Sequence, residues 1–209
     1  MKKFNTNIWN RKAQYEFFKN YKDPFFNITV NIDVTQLVRF CKANQLSFTW
    51  ANYYYVMKAM EEIPEFKLRF FENEVYEFEE IRLGSTTLNE DKTFSFCYFH
   101  MTESVDEFVI KTNKTIENHK LGNAVLEDNR NDLAVVHGTT LPWLSFTSLK
   151  HPRNGNEGNK GIPKLAFGKI FKEGNSEKIP FSIEVHHALM DGYHIGRLVE
   201  LYQDRLNQL

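Results

Sequence analysis

Two adjacent histidines, His186 and His187, carry the clearest chemical signal in the sequence. They follow an alternating apolar segment typical of a strand, and Asp191-Gly192 then begins a helix-like segment. A histidine at the end of a strand is held rigidly, and its neutral imidazole can take a proton from a hydroxyl group. General-base catalysis is therefore one interpretation of the pair, and a histidine satisfied by backbone carbonyl groups is the other.

Asp191, four residues after His187, has three possible roles in this segment. Its carboxylate could orient the imidazole ring, cap the following helix or pair with an arginine. The spacing across a turn does not decide among these roles, so all three stay open.

Composition and motifs argue against several other kinds of chemistry. The 209 residues carry a formal net charge of −1, so no overall field attracts nucleic acid or an anionic membrane. Cys41 and Cys97 lack the spacing of zinc ligands, and no Gly-x-Gly-x-x-Gly or Walker-type loop follows a strand. No apolar segment is long enough to span a bilayer, and no signal-peptide pattern begins the chain. We therefore expect a cytoplasmic protein that binds no metal, nucleic acid or membrane.

Hydrophobic patterning predicts the elements that must position the histidines. Alternating or β-rich segments predict strands at Asn27–Val34, Lys67–Phe71, Glu74–Phe78, Thr93–His100, Leu133–Gly138, Leu144–Ser148, Leu165–Phe171 and Ile179–His186. Apolar and helix-favouring residues predict helices at Thr35–Asn44, Thr49–Ile63, Ser104–His119 and Gly192–Leu206. The third of these helices opens with a capping-box pattern, Ser104 to Glu107.

Domain organisation and fold class follow from the order of these elements. The one glycine- and proline-rich loop, 151–163, is too short to separate domains, so residues 1–209 are predicted to form a single domain. Strands with irregularly interspersed helices favour an α/β (α+β) two-layer sandwich, with a mixed β-sheet and helices packed on one side.

The segment His186-His187-x-x-x-Asp191-Gly192, followed by an amphipathic helix, resembles the active-site motif of chloramphenicol acetyltransferases. Lipoyl-dependent acyltransferase domains and peptide-synthetase condensation domains carry related motifs. Further segments resemble the antibiotic enzymes in order and spacing: Trp9–Lys12, Tyr15, Phe17–Phe18, Pro64–Arg69, Thr93–Ser95, Leu141–Ser148 and Phe167–Lys169. The resemblance covers nearly the whole chain, whereas condensation domains are much longer and lipoyl enzymes normally carry extra domains.

The resemblance implies a homotrimer with active sites at the subunit interfaces, where acetyl-CoA and a small-molecule alcohol share one tunnel. It implies that His187 is the general base for attack of the hydroxyl on the thioester, with His186 left to packing. Asp191 would pair with Arg11 beneath the base, unless Arg11 is an exposed helix residue. Thr139 stands where the family has a serine that stabilises the oxyanion, and it keeps a hydroxyl donor.

On the coenzyme side, the resemblance implies contacts from Trp143, Lys169 and His137. Packing in the core is an alternative role for Trp143, because an indole beside a proline is ordinary in a protein interior. Lys169 could instead be a solvated strand lysine.

On the acceptor side, the resemblance implies a pocket that includes Phe18, Lys22, Phe25, Thr93 and Lys164. Lys22 and Lys164 occupy positions that are apolar in the antibiotic enzymes. Two ammonium groups would be poorly solvated beside a neutral nitrophenyl antibiotic and would suit a carboxylate, a phosphate or sugar hydroxyls. In the alternative, both ammonium groups reach solvent while their stems line the wall.

Three functions follow as hypotheses. The first is an acetyl-CoA-dependent O-acetyltransferase that accepts chloramphenicol, as the preserved His187, Asp191 and Arg11 indicate. The second keeps the chemistry but takes an anionic or sugar-like alcohol, as the two pocket lysines and Ala166, which replaces a family threonine, suggest. The third is a catalytically idle trimer that binds the coenzyme or a metabolite.

Overall fold

The computed structural model describes residues 1–121, 132–152 and 160–209. In these ranges the strands are β1 (Lys2–Lys3), β2 (Phe25–Asp33), β3 (Leu68–Phe71), β4 (Glu74–Glu77), β5 (Arg82–Leu88), β6 (Phe94–Phe99), β7 (Val135–Thr140), β8 (Lys164–Phe167), β9 (Phe171–Glu173) and β10 (Ser176–His186). The α-helices are α1 (Lys12–Phe18), α2 (Thr35–Asn44), α3 (Phe48–Glu61), α4 (Val105–Leu121) and α5 (Gly192–Asn207).

The larger of two sheets carries the histidine pair at the end of β10. Its strand order is β2-β10-β8-β7-β5-β6, with β9 paired to β10. β7 runs parallel to β5 and β8, and the other pairs are antiparallel, so the sheet is mixed. Strands β1, β4 and β3 form a small antiparallel sheet.

Helices cover one face of the large sheet. The rings of Tyr202 in α5 and Phe181 in β10 lie 5.9 Å apart, and those of Tyr53 in α3 and Phe167 in β8 lie 5.3 Å apart. A Cβ atom on Gly138 in β7 would come within 2.5 Å of the Tyr53 ring, so only glycine allows this close approach. The predicted two-layer sandwich with a mixed sheet is therefore confirmed.

The core is built from elements along most of the chain. One cluster of buried apolar residues extends in sequence from Tyr15 to Leu206. That the chain forms a single domain stays a prediction. None of the helices in the described ranges is both long and apolar enough to cross a bilayer.

The four predicted helices correspond to α2, α3, α4 and α5, with bounds that agree to within two residues. The serine contact of the predicted capping box is present at the start of α4, where the Glu107 amide donates to Ser104 Oγ at 3.3 Å. Helix α1 was not predicted, since seven residues are too few to show a helical period.

The predicted strand Leu144–Ser148 is wrong. This segment follows Pro142, and the Leu144 amide is used in a turn, where it donates to the Leu141 carbonyl at 3.1 Å. A backbone amide that closes a turn is not available to a sheet ladder.

The predicted strand Leu165–Phe171 is broken at Gly168. A Cβ atom there would come within 2.7 Å of the Leu144 carbonyl oxygen, so the loop segment at Leu144 packs directly against the chain where β8 ends. Strand β5 was not predicted at all. It carries Gly84 and Ser85 at its centre, and these small residues hide the alternation of a half-buried strand.

Candidate active site

The histidine pair is fixed at the point where β10 turns into α5. The Leu189 and Met190 amides both donate to the His186 carbonyl, at 3.0 and 3.2 Å, which closes a tight turn. The His187 amide donates to the Pro24 carbonyl at 2.8 Å. The backbone of the proposed base is therefore held from its own turn and from the segment before β2.

Asp191 caps α5 and pairs with Arg11. Its Oδ1 accepts from the Tyr193 amide at 3.0 Å, and its Oδ2 accepts from Arg11 Nη1. Burial acts to raise the pKa of Asp191, but the charge and hydrogen bond of Arg11, the charge of His194 and the Tyr193 amide hold the pKa below its usual value. Of the three roles left open by the sequence, the structure contains capping and arginine pairing.

Arg11 links this ion pair to the backbone of the base. Its side chain is buried, and Nη2 donates to the His187 carbonyl at 3.2 Å. The alternative of an exposed helix residue is therefore wrong. The guanidinium holds the Asp191 carboxylate on one side and the His187 main chain on the other.

The imidazole of His187 is held by aromatic rings. The Phe18 ring is stacked on it at a centroid distance of 3.9 Å and an angle of 9°, and the Phe26 ring lies 4.6 Å away at 44°. Its Nδ1 is buried and has no hydrogen-bond partner among the described residues. The ring as a whole is half-buried.

His186 packs against the opposite side of the turn. It is 1% exposed, and its ring lies 5.0 Å from Phe25 and 4.7 Å from Phe70. Its Nδ1 accepts from the Ala188 amide at 3.2 Å. These contacts favour the packing role, and they place Phe25, predicted for the acceptor pocket, against His186.

Thr139 is far from the base within one chain. It pairs in register with Ala166 in β8, which pairs with Ser182 in β10, so Thr139 lies two strand spacings from Ser182. At about 4.8 Å per spacing and about 3.3 Å per residue along β10, Thr139 and His186 are roughly 16 Å apart. An oxyanion donor must lie about 3 Å from the reacting oxygen. Thr139 therefore does not share a site with the base of its own chain.

Trp143 and Lys169 lie in two segments that are hydrogen-bonded to each other beside the end of β8. Trp143 is 62% exposed, so the alternative of a core role for it is wrong. Lys169 is exposed, and its amide donates to the Leu144 carbonyl at 2.7 Å, which ties the two segments together. His137 lies two residues before Thr139 in β7, on the same face of the sheet.

Two predicted acceptor residues are on the surface. Lys22 is exposed in the turn before β2, two residues from Pro24. Thr93 is exposed in the β5–β6 hairpin, where its amide and hydroxyl both donate to Asp91 Oδ1, at 2.9 and 2.6 Å. Because β6 is at one edge of the sheet and β10 is near the other, the structure does not bring Thr93 to His187.

Lys164 lies in a polar cluster on the sheet face opposite the helices. It pairs in register with Glu184, whose side chain is fully buried, and its Nζ donates to the Pro152 carbonyl at 2.8 Å. Burial lowers the pKa of His151; the charge of Glu184 opposes this shift and that of Lys164 adds to it. A buried carboxylate thus accompanies the ammonium group that was predicted to attract an anionic acceptor.

Two residues near Asp191 were not singled out from the sequence. His194 Nδ1 lies 3.0 Å from Asp191 Oδ1, and its Nε2 lies 3.5 Å from Glu65 Oε1. The available signal was the Asp191-x-x-His194 spacing of a capping box, in which the last position is ordinarily Glu or Gln.

Metal ligands do not assemble in the part of the chain that the structure describes. There, no group of three or more His, Cys, Asp or Glu residues could hold a metal ion. Cys41 and Cys97 are both buried and free.

The chain combines a mixed sheet, helices on one face, and a histidine at the end of a buried strand before a capped helix, and its family and relatives identify it as an acyltransferase. The family model for chloramphenicol acetyltransferase matches residues 1–203, and the chain belongs to that family.

Individual relatives agree with this assignment. The chloramphenicol acetyltransferase of Clostridium butyricum is 30% identical over 203 residues, which cover 95% of this chain and 91% of that protein. That of Proteus mirabilis is 27% identical over 198 residues, covering 93% and 89%. A solved chloramphenicol acetyltransferase structure shares the fold with a TM-score of 0.88 at 24% identity, over 97% of this chain and 98% of the other.

Proposed function

We propose that this protein transfers the acetyl group of acetyl-CoA to a hydroxyl of a small-molecule alcohol, with His187 as the general base. The observation that carries the proposal is the half-buried His187 ring, which is stacked on Phe18 and contacts the tilted ring of Phe26, and its Nε2 would face the substrate. Arg11 donates to the His187 main-chain carbonyl and is itself paired with Asp191. A rigid neutral imidazole at the end of a strand suits proton transfer near pH 7.

In the proposed reaction, His187 Nε2 takes the proton of the acceptor hydroxyl as its oxygen attacks the thioester carbonyl. The tetrahedral oxyanion then collapses, the carbon–sulfur bond breaks, and the imidazolium returns the proton to the coenzyme thiolate. The products are an acetyl ester and free coenzyme A. Holding both substrates together supplies much of the rate, because a bimolecular encounter becomes local.

The separation of Thr139 from His187 supports active sites between subunits of a homotrimer. Since Thr139 is roughly 16 Å from His186, the residue before the base, by sheet geometry in one chain, the donor for the oxyanion would come from another copy. Thr139, Trp143 and Lys169 of one copy would then face His187 of the next. The exposed indole of Trp143 and the exposed ammonium of Lys169 would receive the coenzyme.

Chloramphenicol is the acceptor to test first, because the similar proteins are named for it. The aromatic side chains around His187, Phe18 and Phe26, could line a pocket for a nitrophenyl ring.

A hydroxyl-rich acceptor is the second candidate, and the cluster of Lys164, Glu184 and His151 favours it over an anionic one. Paired donors and acceptors can bind sugar hydroxyls, whereas the carboxylate of Glu184 would repel a carboxylate or phosphate. The exposed ammonium of Lys22 offers no buried site for an anion.

We also propose a cytoplasmic location. Both cysteines are free and buried, which supports a reducing compartment.

The test is release of thiol from acetyl-CoA by the purified protein, with and without chloramphenicol. His187→Ala should lose the acceptor-dependent release by at least about 10²-fold, the usual contribution of a general base. The matched control is His100→Ala, which removes an exposed histidine and should keep full activity. If chloramphenicol fails, a panel of sugar alcohols and amino sugars follows. Coenzyme binding without turnover on any acceptor would contradict the proposal and support an idle binding protein.

A further inference from the structure

The Asp191 carboxylate is held from more directions than helix capping requires. Oδ2 receives Arg11, while Oδ1 accepts from the Tyr193 amide at 3.0 Å and lies 3.0 Å from His194 Nδ1. The Asp191 amide also donates to the same imidazole nitrogen at 3.1 Å. As the acceptor of this amide proton, His194 Nδ1 holds the backbone of the residue that receives Arg11.

The other edge of the His194 ring reaches a distant part of the chain. Its Nε2 lies 3.5 Å from Oε1 of Glu65, which is in the 3-10 turn Pro64–Lys67 after α3. The His194 side chain is 9% exposed and that of Glu65 is 18% exposed. Burial acts to raise the pKa of Glu65, but the hydrogen bond and charge of His194, its own backbone amide and the charge of Arg11 hold the pKa below its usual value.

From these contacts we infer that His194 and Glu65 are positioning residues for the base. The Nε2 edge of His194 faces Glu65, and His194 Nδ1 accepts from the Asp191 amide, so Glu65 and His194 together hold the backbone that carries the Asp191 carboxylate toward Arg11. Arg11 in turn donates from Nη2 to the His187 carbonyl at 3.2 Å. The inference rests on the proposed function, in that His187 is taken as the base.

An ordinary capping box does not include a contact such as that between His194 and Glu65. Glu or Gln at the third helical position satisfies the backbone amide of the cap, as His194 does here. The two nitrogens of His194 lie on different edges of the ring, so Nδ1 contacts Asp191 while Nε2 faces Glu65. The imidazole thus ties the start of α5 to the turn after α3, and this tie limits how far the His187 turn can shift. Small displacements of a catalytic group are costly, because proton transfer requires hydrogen-bond distance.

Two substitutions separate positioning from capping. His194→Gln keeps a capping-box side chain but loses the contact with Glu65, and Glu65→Gln removes the carboxylate charge with little change of shape. We expect each to lower kcat about tenfold, with KM for both substrates within about twofold, because the base is displaced while the binding surfaces stay intact. The double variant should be no slower than the slower single variant, since both act through one chain of contacts.

Glu62→Gln is the matched control. It removes a carboxylate three residues earlier, which pairs with Arg205 on a more exposed part of α5, and it should leave kcat unchanged. If His194→Gln and Glu65→Gln lower the melting temperature but leave kcat of the folded protein at the wild-type value, the residues only stabilise the helix and the inference is overturned.

A spectroscopic measurement keeps this result separate from a failure of the proposed function. The imidazole resonances of His187, assigned by their loss in His187→Ala, should shift or broaden in Glu65→Gln and stay unchanged in Glu62→Gln. This readout needs no turnover. Unchanged His187 resonances in Glu65→Gln would contradict the positioning role even if the protein proved inactive on every acceptor.

Discussion

The two ends of the proposed active site are built in opposite ways. Around His187, the side chains of Arg11, Asp191 and His194 contact one another and the main chain, and Arg11 and His194 are buried. Around Thr139, the side chain of Trp143 is 62% exposed and Lys169 lies at the surface. A rigid base beside an open coenzyme surface is what a site completed by a second copy and a substrate requires.

Losing the hydroxyl of Thr139 should cause the largest effect outside the base itself. Thr139→Ala removes a donor to the oxyanion, and a loss of this kind lowers kcat by about 10²–10³-fold. Thr139→Ser keeps the donor and should retain most of the activity. If Thr139→Ala has wild-type kcat in an acetyl-transfer assay, Thr139 does not supply the oxyanion donor, and the proposed contrast between the surroundings of His187 and those of Thr139 is wrong.

Losing Arg11 should affect stability most, because the end around the base is held by its ion pair. Arg11→Met leaves the Asp191 carboxylate without its guanidinium, which should cost about 3 kcal/mol of unfolding free energy; this is the low end for a buried pair, because the Asp191 side chain is 31% exposed. Denaturant unfolding measures it. Arg197→Met breaks an exposed pair with Glu200 on the same helix and should change stability by less than about 1 kcal/mol. Equal losses of unfolding free energy in the two variants would show that the Arg11–Asp191 pair stabilises the fold no more than an exposed ion pair does.

The pH dependence of that difference follows from the pKa of Asp191, which is lower in the folded protein than in the unfolded chain. A carboxyl group of this kind contributes stability above its unfolded pKa of about 4, and the contribution is lost as the pH falls through the folded pKa. The stability gap between wild type and Arg11→Met should therefore be full at pH 7 and shrink below about pH 4. A gap that stays constant down to pH 3 would mean that Arg11 stabilises the fold by packing alone.

Trp143→Ala should have the smallest effect on folding, since the indole is largely exposed. The unfolding free energy of the assembled protein should change by less than about 0.5 kcal/mol, whereas KM for acetyl-CoA should rise because an aromatic surface for the coenzyme is lost. A large loss of stability with unchanged KM would assign the indole to the subunit interface.

The surroundings of His187 could be predicted from the sequence more fully than the exposed region around Thr139 and Trp143. The strand before His187 alternates Phe181, Ile183 and Val185, and Asp191-Gly192 marks a helix start, so local patterns suffice there. The Arg11 pair came only through the family resemblance, because 180 residues separate its partners. His194 and Glu65 were missed for the same reason, since their contact depends on how α5 packs near the turn after α3.

In the exposed region, patterns misled for physical reasons. Leu144–Ser148 has the composition of a strand, but Pro142 and the turn that follows it remove the segment from the sheet. Trp143 looked equally suited to the core, but it lies within that turn and its side chain is 62% exposed. Residues that serve a ligand or a second copy do not follow the burial pattern of one chain.

The central claim is that the base and the oxyanion donor come from different copies of the chain, and complementation between inactive variants tests it most directly. His187→Ala and Thr139→Ala chains, each with its own affinity tag, would be co-expressed, and trimers that carry both tags would be assayed for acetyl transfer. Our account predicts recovery of about one third of wild-type activity per site, since a trimer that contains both variants has one interface of its three that brings an intact His187 to an intact Thr139. Activity of the mixed trimers no higher than that of the more active parent would contradict the account, because it would place both residues in the site of a single chain.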